Sequence, residues 1–593
     1  MFVAAVLSFV VIAVWFWLFP PAPPPPAQPE ASVAGAPATG GAAAPSALQA
    51  VDPEEAAAAG RDEALGRAAR VGIRSDRVAG SINLRGGRID DLALLDYGVT
   101  KEADSERVTL LSPIGAQHPF YAIYGWLPTA QTPLATPGPA TEWQVETGGD
   151  LSPGAPVTLI WDNGAGLVFR RTISLDDDYM FTVEQSVENR TGAEVSLAPY
   201  GYVARRGEPD TVGFYILHEG AIGKFDGVLE ELDYGDMEDL DAPGGPGERQ
   251  QLVGVSEAGW LGFTDRYWMA TLVPAAGAFD AVFKYAQLQS GPEFRTEMRL
   301  PLMTVAPGSS ASAETRLFAG AKEYHTIAAY EAEGIPRFVD SIDWGWFFFL
   351  TKPFLQLLLF LNGIIGNMGW SIIALTFLVK LVLLPLAWKS YVSLSKMKKL
   401  QPEMEKIKER CGDDKQKLQQ EMMALYKKEK ANPAAGCVPI LLQIPIFFSL
   451  YKVLFVTLAM RHAPFTLWID DLSAPDPTSI LNLFGLLPFA APDPNDFLAI
   501  FSIGVFPILL GVTMWMQQKL NPAPTDPTQA MIFAWMPWMF MFMLGQFSSG
   551  LVIYWVANNV ITFAQQYGIM RSQGVDVDFL GNIKKSFKRQ KPS

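Results

Sequence analysis

The sequence predicts a polytopic α-helical membrane protein of six spans that carries a large antiparallel β-sandwich domain across the membrane. Three observations predict it. Uncharged or nearly uncharged apolar segments of span length occur at the start of the chain and repeatedly after residue 369. Between them lies a long region of short runs in which apolar and polar residues alternate. The charge is also unevenly divided: residues 51–340 hold 44 acidic and 23 basic residues, whereas those after 340 hold 16 acidic and 23 basic. Two regions of opposite charge balance face different surroundings.

Residues 2–19 (FVAAVLSFVVIAVWFWLF) have no charge and are just long enough to cross a hydrocarbon core of roughly 30 Å. Pro20 to Pro26 follow directly in place of a nearby small-x-small cleavage site, so the segment is expected to stay as an uncleaved anchor. It lacks the basic residues that usually precede a span, as a truncated start would leave it. Residues 20–70 open with a Pro/Ala-rich stretch that has almost no branched or aromatic residues, and the whole range is expected to be a disordered tether.

From 71 to 340 the side-chain period is two. Tyr179, Phe181, Val183 and Val187 share one face, and Thr182, Glu184, Ser186 and Glu188 the other; Phe279, Ala281, Phe283 and Tyr285 repeat the pattern. Turn signals such as Asp162-Asn163-Gly164 and Asn189-Arg190-Thr191-Gly192 separate the runs. The reading is a β-sandwich with one face of each sheet buried. It has no cysteine, and the two cysteines of the chain, Cys411 and Cys437, lie far beyond it. No disulfide framework is therefore available to this domain.

After Asp343 the chain turns apolar. Residues 341–368 hold Lys352 and Pro353 among aromatic residues and leucines, which suits an amphipathic helix lying in the membrane interface. Spans are expected at 369–388, 437–460, 498–520, 530–546 and 549–568. Residues 389–435 carry 12 basic and 7 acidic residues, and the tail (571–593) holds Lys584, Lys585, Lys588, Arg589 and Lys591. Both are placed in the cytoplasm by the positive-inside bias, which puts the N-terminus there as well and the β-domain on the opposite side. Residues 389–435 read as a helical hairpin, with Gly412-Asp413 as its stop and restart. One apolar stripe runs through Tyr391, Leu394, Met397, Leu400, Met404 and Ile407, the other through Leu418, Met422, Leu425 and Tyr426. The seam is either self-packing or a Met-bearing lid.

The stretch Asn432-Pro433-Ala434-Ala435-Gly436-Cys437-Val438-Pro439, continuing to Gln443, Pro445, Ile446 and Phe447, resembles a signature of the YidC/Oxa/Alb family of membrane protein insertases. MKKLQPEMEKIKER, CGDDKQKLQQEMMALYKKEK, APFTLWIDDLSAPDP and FSSGLVIYWVANN resemble the same family in order, over roughly 340–570. The anchor and β-sandwich extend the likeness to its Gram-negative members. The resemblance implies a five-helix core around a hydrophilic groove, and a supersandwich-like periplasmic domain. It implies location in the cell inner membrane, and insertion, folding and assembly of nascent membrane proteins without nucleotide hydrolysis. The partners implied are the Sec translocon with its accessory proteins, the ribosome, the signal recognition particle with its receptor, and membrane lipids. No cofactor or enzymatic activity is implied. The chain has no Walker motif and no HExxH, and none of His118, His218, His325 and His462 falls in an expected span. A net charge of −15 excludes nucleic-acid binding by the chain as a whole, leaving only local contact.

Lys380 is the sharpest candidate. In a span of 369–388 it would lie roughly 15 Å from either end, too deep to snorkel. A charge there costs about 2.5–3.5 kcal/mol, so it should face water or a partner. The expected core spans offer no Asp or Glu to pair with it. The resembling family commonly has Arg here, so a contact needing the guanidinium fork is in doubt. Thr376 lies one turn earlier. Tyr554, Asn558, Thr562 and Gln565 form a stripe at i, i+4, i+8 and i+11 with Trp555 beside it, and Gln443 adds a polar group in the third span. These residues either line a substrate groove with Lys380 or act as interhelical hydrogen-bond glue. The methionines of the fifth span, Met531, Met536, Met539, Met541 and Met543, read as lipid-facing packing, and Lys452 is assigned no role. Two rival classes are a channel or transporter using Lys380 and an enzyme acting on sugars. The first would need internal repeats or a polar path through both leaflets, the second an acid/base pair; the sequence offers neither.

Overall fold

The computed structural model describes residues 60–575 apart from 130–133, 212–216, 242–246, 276, 413, 430–437, 489–500 and 522–526. The expected first span, the linker up to residue 59, the Asn432–Cys437 signature and the basic tail from 576 lie outside the described residues. The linker range ends earlier than the composition indicates. Helix α1 (Arg61–Leu65) is folded against the β-domain by an ion pair from Arg61 to Asp91, and the first strand opens at Arg70.

The alternating region forms two antiparallel sheets, of ten and nine strands. In the strand Met180–Asn189, Phe181, Val183 and Val187 are buried, while Glu184 points to solvent. The alternation identifies the inner face correctly. Both turn signals are turns: Asp162 accepts from the Gly164 N–H in the hairpin between Val157–Asp162 and Leu167–Leu175, whereas Asn189 accepts from the Thr191 N–H where the chain crosses from one sheet to the other. The inner faces meet through aromatic contacts such as Phe120 on Phe263 and Trp126 on Phe169, and apolar burial of this kind drives the assembly. In the strand Phe279–Leu288 the outer face is covered too, with Val282 and Lys284 buried. Arg171 crosses between the sheets, fully buried, and donates to the carbonyls of Gly87 (2.8 Å) and Tyr124 (2.5 Å). Burial pulls its guanidinium down to about 10.

Helices α2 (Tyr234–Glu238) and α3 (Tyr324–Ala332) belong to this domain. The helical region follows with α4 (Phe348–Ile365), α5 (Met368–Val382), α6 (Leu384–Lys399), α7 (Gln401–Cys411) and α8 (Lys415–Lys428). It ends with α9 (Val438–Val456), α10 (Val505–Gln518), α11 (Pro527–Leu544) and α12 (Ser549–Ser572). Among the described residues α4, the segment expected in the interface, is the single unbroken helix long and apolar enough to cross a membrane. The expected span 369–388 is broken: α5 and α6 meet at Leu383 at an angle of 67°. Pro385 explains the bend, because it has no N–H to give and its ring crowds the carbonyl of Leu381. The hairpin seam holds for α7 and α8, where the Tyr426 hydroxyl meets the Met404 sulfur at 3.7 Å. The earlier part of that stripe does something else: Tyr391 and Leu394 pack on Ile569 of α12. Met531, Met539 and Met543 of α11 are exposed, whereas Met536 and Met541, expected to face lipid as well, are half-buried.

The β-domain is pinned to the helices by two carboxylates in the connecting segment. Asp340 accepts from Lys224 of the β-domain and from Lys352 of α4, each at 2.9 Å. Asp343 accepts from the backbone N–H of His218 (3.0 Å) and from Lys452 of α9 (2.5 Å). Arg266 adds a bond to the carbonyl of Phe455 in the last turn of α9, and Arg461 one to that of Gly98. Burial would raise the Asp340 carboxyl, but the ammonium groups of Lys352 and Lys224 outweigh it and hold it below its ordinary value of 3.8. The stability this contributes is complete above 3.8 and is lost as pH falls through the lower folded value. Asp340→Asn should therefore cost about 2 kcal/mol at neutral pH and remove part of the acid-side decline. Thermal unfolding of the full chain in detergent across pH 2–7 measures both, and parallel pH profiles for variant and wild type would show that Asp340 does not carry the linkage.

Candidate functional site

The candidate residues come together where α5, α9 and α12 meet. Gly366, in a left-handed conformation that suits glycine, ends α4, and Asn367 caps α5 by accepting from the Trp370 N–H. The bend at Leu383 places Lys380 in the last turn of α5 rather than near the middle of a continuous span. A helix end leaves carbonyls without partners. Gln565 of α12 donates to one of them, the carbonyl of Lys380 itself, at 3.3 Å.

The Lys380 ammonium donates to the Gln443 side-chain carbonyl on α9 at 3.0 Å. The Gln443 amide N–H in turn lies 3.1 Å from the Tyr554 hydroxyl on α12. A single chain of hydrogen bonds thus crosses three helices. Its acceptor is neutral, and among the described residues no carboxylate lies within ion-pair distance of Lys380, so the positive charge is solvated without being neutralised. Lys380 and Gln443 are half-buried, whereas Tyr554 is buried.

Not every expected residue joins this chain. Thr376 is buried and its hydroxyl bonds the carbonyl of Ile372, while the Thr562 hydroxyl bonds that of Asn558. Both hydroxyls turn back on their own helices, as Ser and Thr do when an i−4 carbonyl is in reach. The Asn558 side-chain oxygen is buried with no hydrogen-bond partner among the described residues. Trp555 points elsewhere: its ring packs on Phe447 (4.9 Å) and Phe540 (6.1 Å) in an aromatic cluster between α9 and α11.

Two polar features escape the spacing argument. Asn559 reaches Thr513 of α10 (3.4 Å), and Gln566 reaches Asn521 (2.9 Å), a second buried polar stripe on α12 two turns long. Their i, i+7 spacing was the available signal. Lys452 is the other: it lies within α9 and is paired with Asp343, as described above.

The chain matches two family models, the YidC periplasmic domain over residues 70–357 and the 60Kd inner membrane protein over residues 360–575. It is 56% identical to the membrane protein insertase YidC of Paracoccus denitrificans, over 98% of this chain and 96% of that protein. It is 57% identical to that of Dinoroseobacter shibae, over 100% and 98%. Among solved structures it is similar to an active YidC insertase with its first transmembrane domain resolved, at 19% identity and a TM-score of 0.35, covering 84% of this chain and 92% of that one.

A hydrogen bond from a charged donor is worth about 1.5–3 kcal/mol and a neutral one about 1. Gln443→Leu should therefore destabilise the helical region by roughly 2 kcal/mol, Tyr554→Phe by about half as much, and Gln443→Glu should restore the loss. The double variant should cost less than the sum of the two, because they share one chain. Thermal unfolding in detergent is the measurement; an unchanged midpoint in Gln443→Leu would mean that water serves the ammonium instead.

Proposed function

This chain belongs to the YidC family of membrane protein insertases, inner-membrane proteins with a periplasmic domain, and from that membership we propose a passive mechanism centred on Lys380. The observation that supports it is the Lys380–Gln443–Tyr554 chain, a positive charge with a neutral acceptor in otherwise apolar surroundings. An acidic flank of a client segment can replace Gln443 as the acceptor, exchanging a bond from the ammonium to a neutral carbonyl for an ion pair. The polar flank rests at the Lys380 cluster while the apolar part moves into lipid. Polar groups then cross less hydrocarbon unsatisfied, which lowers the barrier without a fuel.

Lys380, Gln443, Tyr554 and Gln565 form the inner part of this groove, with Asn558, whose oxygen is unsatisfied, as its continuation along α12. Thr376 and Thr562 flank it, and Trp555 lies to one side in the aromatic cluster between α9 and α11. Six spans place both termini in the cytoplasm, with α4 lying on the periplasmic surface, where Lys352 is tied to Asp340. Nascent membrane proteins arrive from the ribosome by way of the signal recognition particle and its receptor, and the Sec translocon shares some of them. The reading needs no cofactor, and no enzymatic step.

If the charge acts as proposed, Lys380→Arg should keep insertion, while Lys380→Ala and Lys380→Glu should lose it chiefly for clients with acidic translocated tails. The ratio of acidic-tailed to neutral-tailed client inserted into vesicles reads this out at matched protein abundance. An equal effect of Lys380→Ala on both client types would remove the charge from the mechanism.

The β-domain should be dispensable for insertion, because the Lys380 cluster and the Asp340–Lys352 and Asp343–Lys452 pairs all lie after residue 320. Deletion of 60–320 should rescue cells depleted of the wild-type protein. Complete loss of insertion at normal abundance would show that the domain takes part.

A further inference from the structure

The segment between α9 and α10 is tied to the β-domain at its start, where Arg461 bonds the Gly98 carbonyl and Lys101 pairs with Asp470. It is tied to α10 at its end. Asp476 accepts from the Phe506 N–H (2.9 Å), and the Thr478 hydroxyl from the Val505 N–H (3.0 Å), so the first-turn donors of α10 are satisfied by this segment. Between these anchors the chain makes a tight apolar knuckle. Ile480, Leu481, Leu483, Phe484, Leu486 and Leu487 are all exposed, Leu486 to 83%. From Pro477 to Pro488 there is no charged residue.

The knuckle is built, not slack. Leu483 (φ 51°) and Phe484 (φ 59°) both adopt the left-handed conformation, which is costly for residues with a Cβ. They are held there by the Phe484 N–H on the Ser479 carbonyl (2.7 Å), the Gly485 N–H on the Asn482 side chain (3.0 Å) and the Leu487 N–H on the Asn482 carbonyl (3.1 Å). Asn482, the polar member, is the one turned inward. The base is closed by the Ile480 N–H on the Ile503 carbonyl, just before α10. Strain maintained by a dedicated hydrogen-bond frame to point six apolar side chains outward is the reverse of what water selects.

We propose that the Ile480–Leu487 knuckle is a lipid anchor, seated in the headgroup and upper acyl region of the leaflet that faces the β-domain. The occupant is lipid, because the chain belongs to a family of inner-membrane proteins, because the helix that follows the knuckle also presents Leu509 and Val512 outward, and because no charge within the knuckle specifies a protein partner. Its consequence is positional. The frame that presents the knuckle also caps α10, so lipid contact fixes the depth of that helix, against whose Thr513 the Asn559 of α12 bonds.

This inference rests on the reading that α10 crosses the bilayer, and the test separates the two. In full-length protein with Cys411→Ser and Cys437→Ser, a nitroxide is placed at Leu486→Cys, at Leu509→Cys within α10, and at Val228→Cys on the exposed surface of the β-domain. The protein is reconstituted alone into phosphatidylethanolamine–phosphatidylglycerol vesicles at no more than one copy each. Collision with oxygen relative to a water-soluble nickel chelate is expected to be several-fold higher at Leu486 than at Val228, with Leu509 higher still. A Leu486 ratio equal to that at Val228, with Leu509 high, overturns the anchor alone. Low ratios at both sites overturn the spanning reading of α10 as well. Shielding of Leu486 from both reagents would mean that it packs on protein, which also overturns the proposal.

Discussion

An ammonium group on an otherwise apolar helix must find an acceptor, and the arrangement of the helical region follows from how this one does. A carboxylate would have neutralised Lys380 and locked it; the Gln443 carbonyl holds the group in place while leaving its charge available. Meeting Gln443 requires α9 to pass beside the end of α5, and meeting Tyr554 requires α12 to pass beside both. The bend at Leu383 belongs to the same solution. It ends α5 just after Lys380, exposes the carbonyls of its last turn, and lets Gln565 satisfy one of them. One break in one helix thus sets the crossing of three.

The β-sandwich was legible because a two-residue period has one physical cause, a sheet with one buried face, and residues such as Phe181, Val183 and Val187 obey it. The polar stripe on α12 was legible for the same kind of reason. Spacing, however, says which residues share a face and not which neighbour that face meets. Thr376 and Thr562 sit on the right faces and still contribute no hydroxyl to the chain, because each finds a carbonyl one turn back on its own helix. Trp555, next to Tyr554 in sequence, is turned about 100° around the axis and falls among Phe447 and Phe540. Pro385 is a visible cause of the bend, but hydropathy runs unbroken from 369 to 388 and gives no sign of it. Hydropathy measures whether a segment prefers lipid; it does not register a missing N–H.

Lys452 shows a harder limit. Nothing within α9 identifies its partner, because Asp343 lies in a short connection far earlier in the chain, where it also accepts from the His218 N–H of the β-domain. The pairing removes an apparent anomaly, a lysine in an apolar helix, by making it half of a junction. A carboxylate shared between an ammonium and a backbone N–H also accounts for why this segment is ordered between two large bodies.

Helix α9 therefore carries two ionic constraints of opposite character. At its β-domain end Lys452 is neutralised by Asp343 and Arg266 closes on the carbonyl of Phe455, contacts that fix position. About two and a half turns earlier, Gln443 meets a charge that no carboxylate among the described residues balances. Pro445 interrupts the backbone ladder between them, and the Ser449 hydroxyl bonds its carbonyl at 2.8 Å. On the proposed mechanism the helix is held at one end by Asp343 and Arg266 and lacks a backbone hydrogen bond at Pro445, two residues from the Gln443 that would release Lys380 to a client. Firm anchoring without that compliance would hold Gln443 against Lys380, and compliance without the anchor would let the whole helix drift. Both features lie on one helix, so that a β-domain junction and, on the proposed mechanism, an exchangeable polar contact share the same nineteen residues.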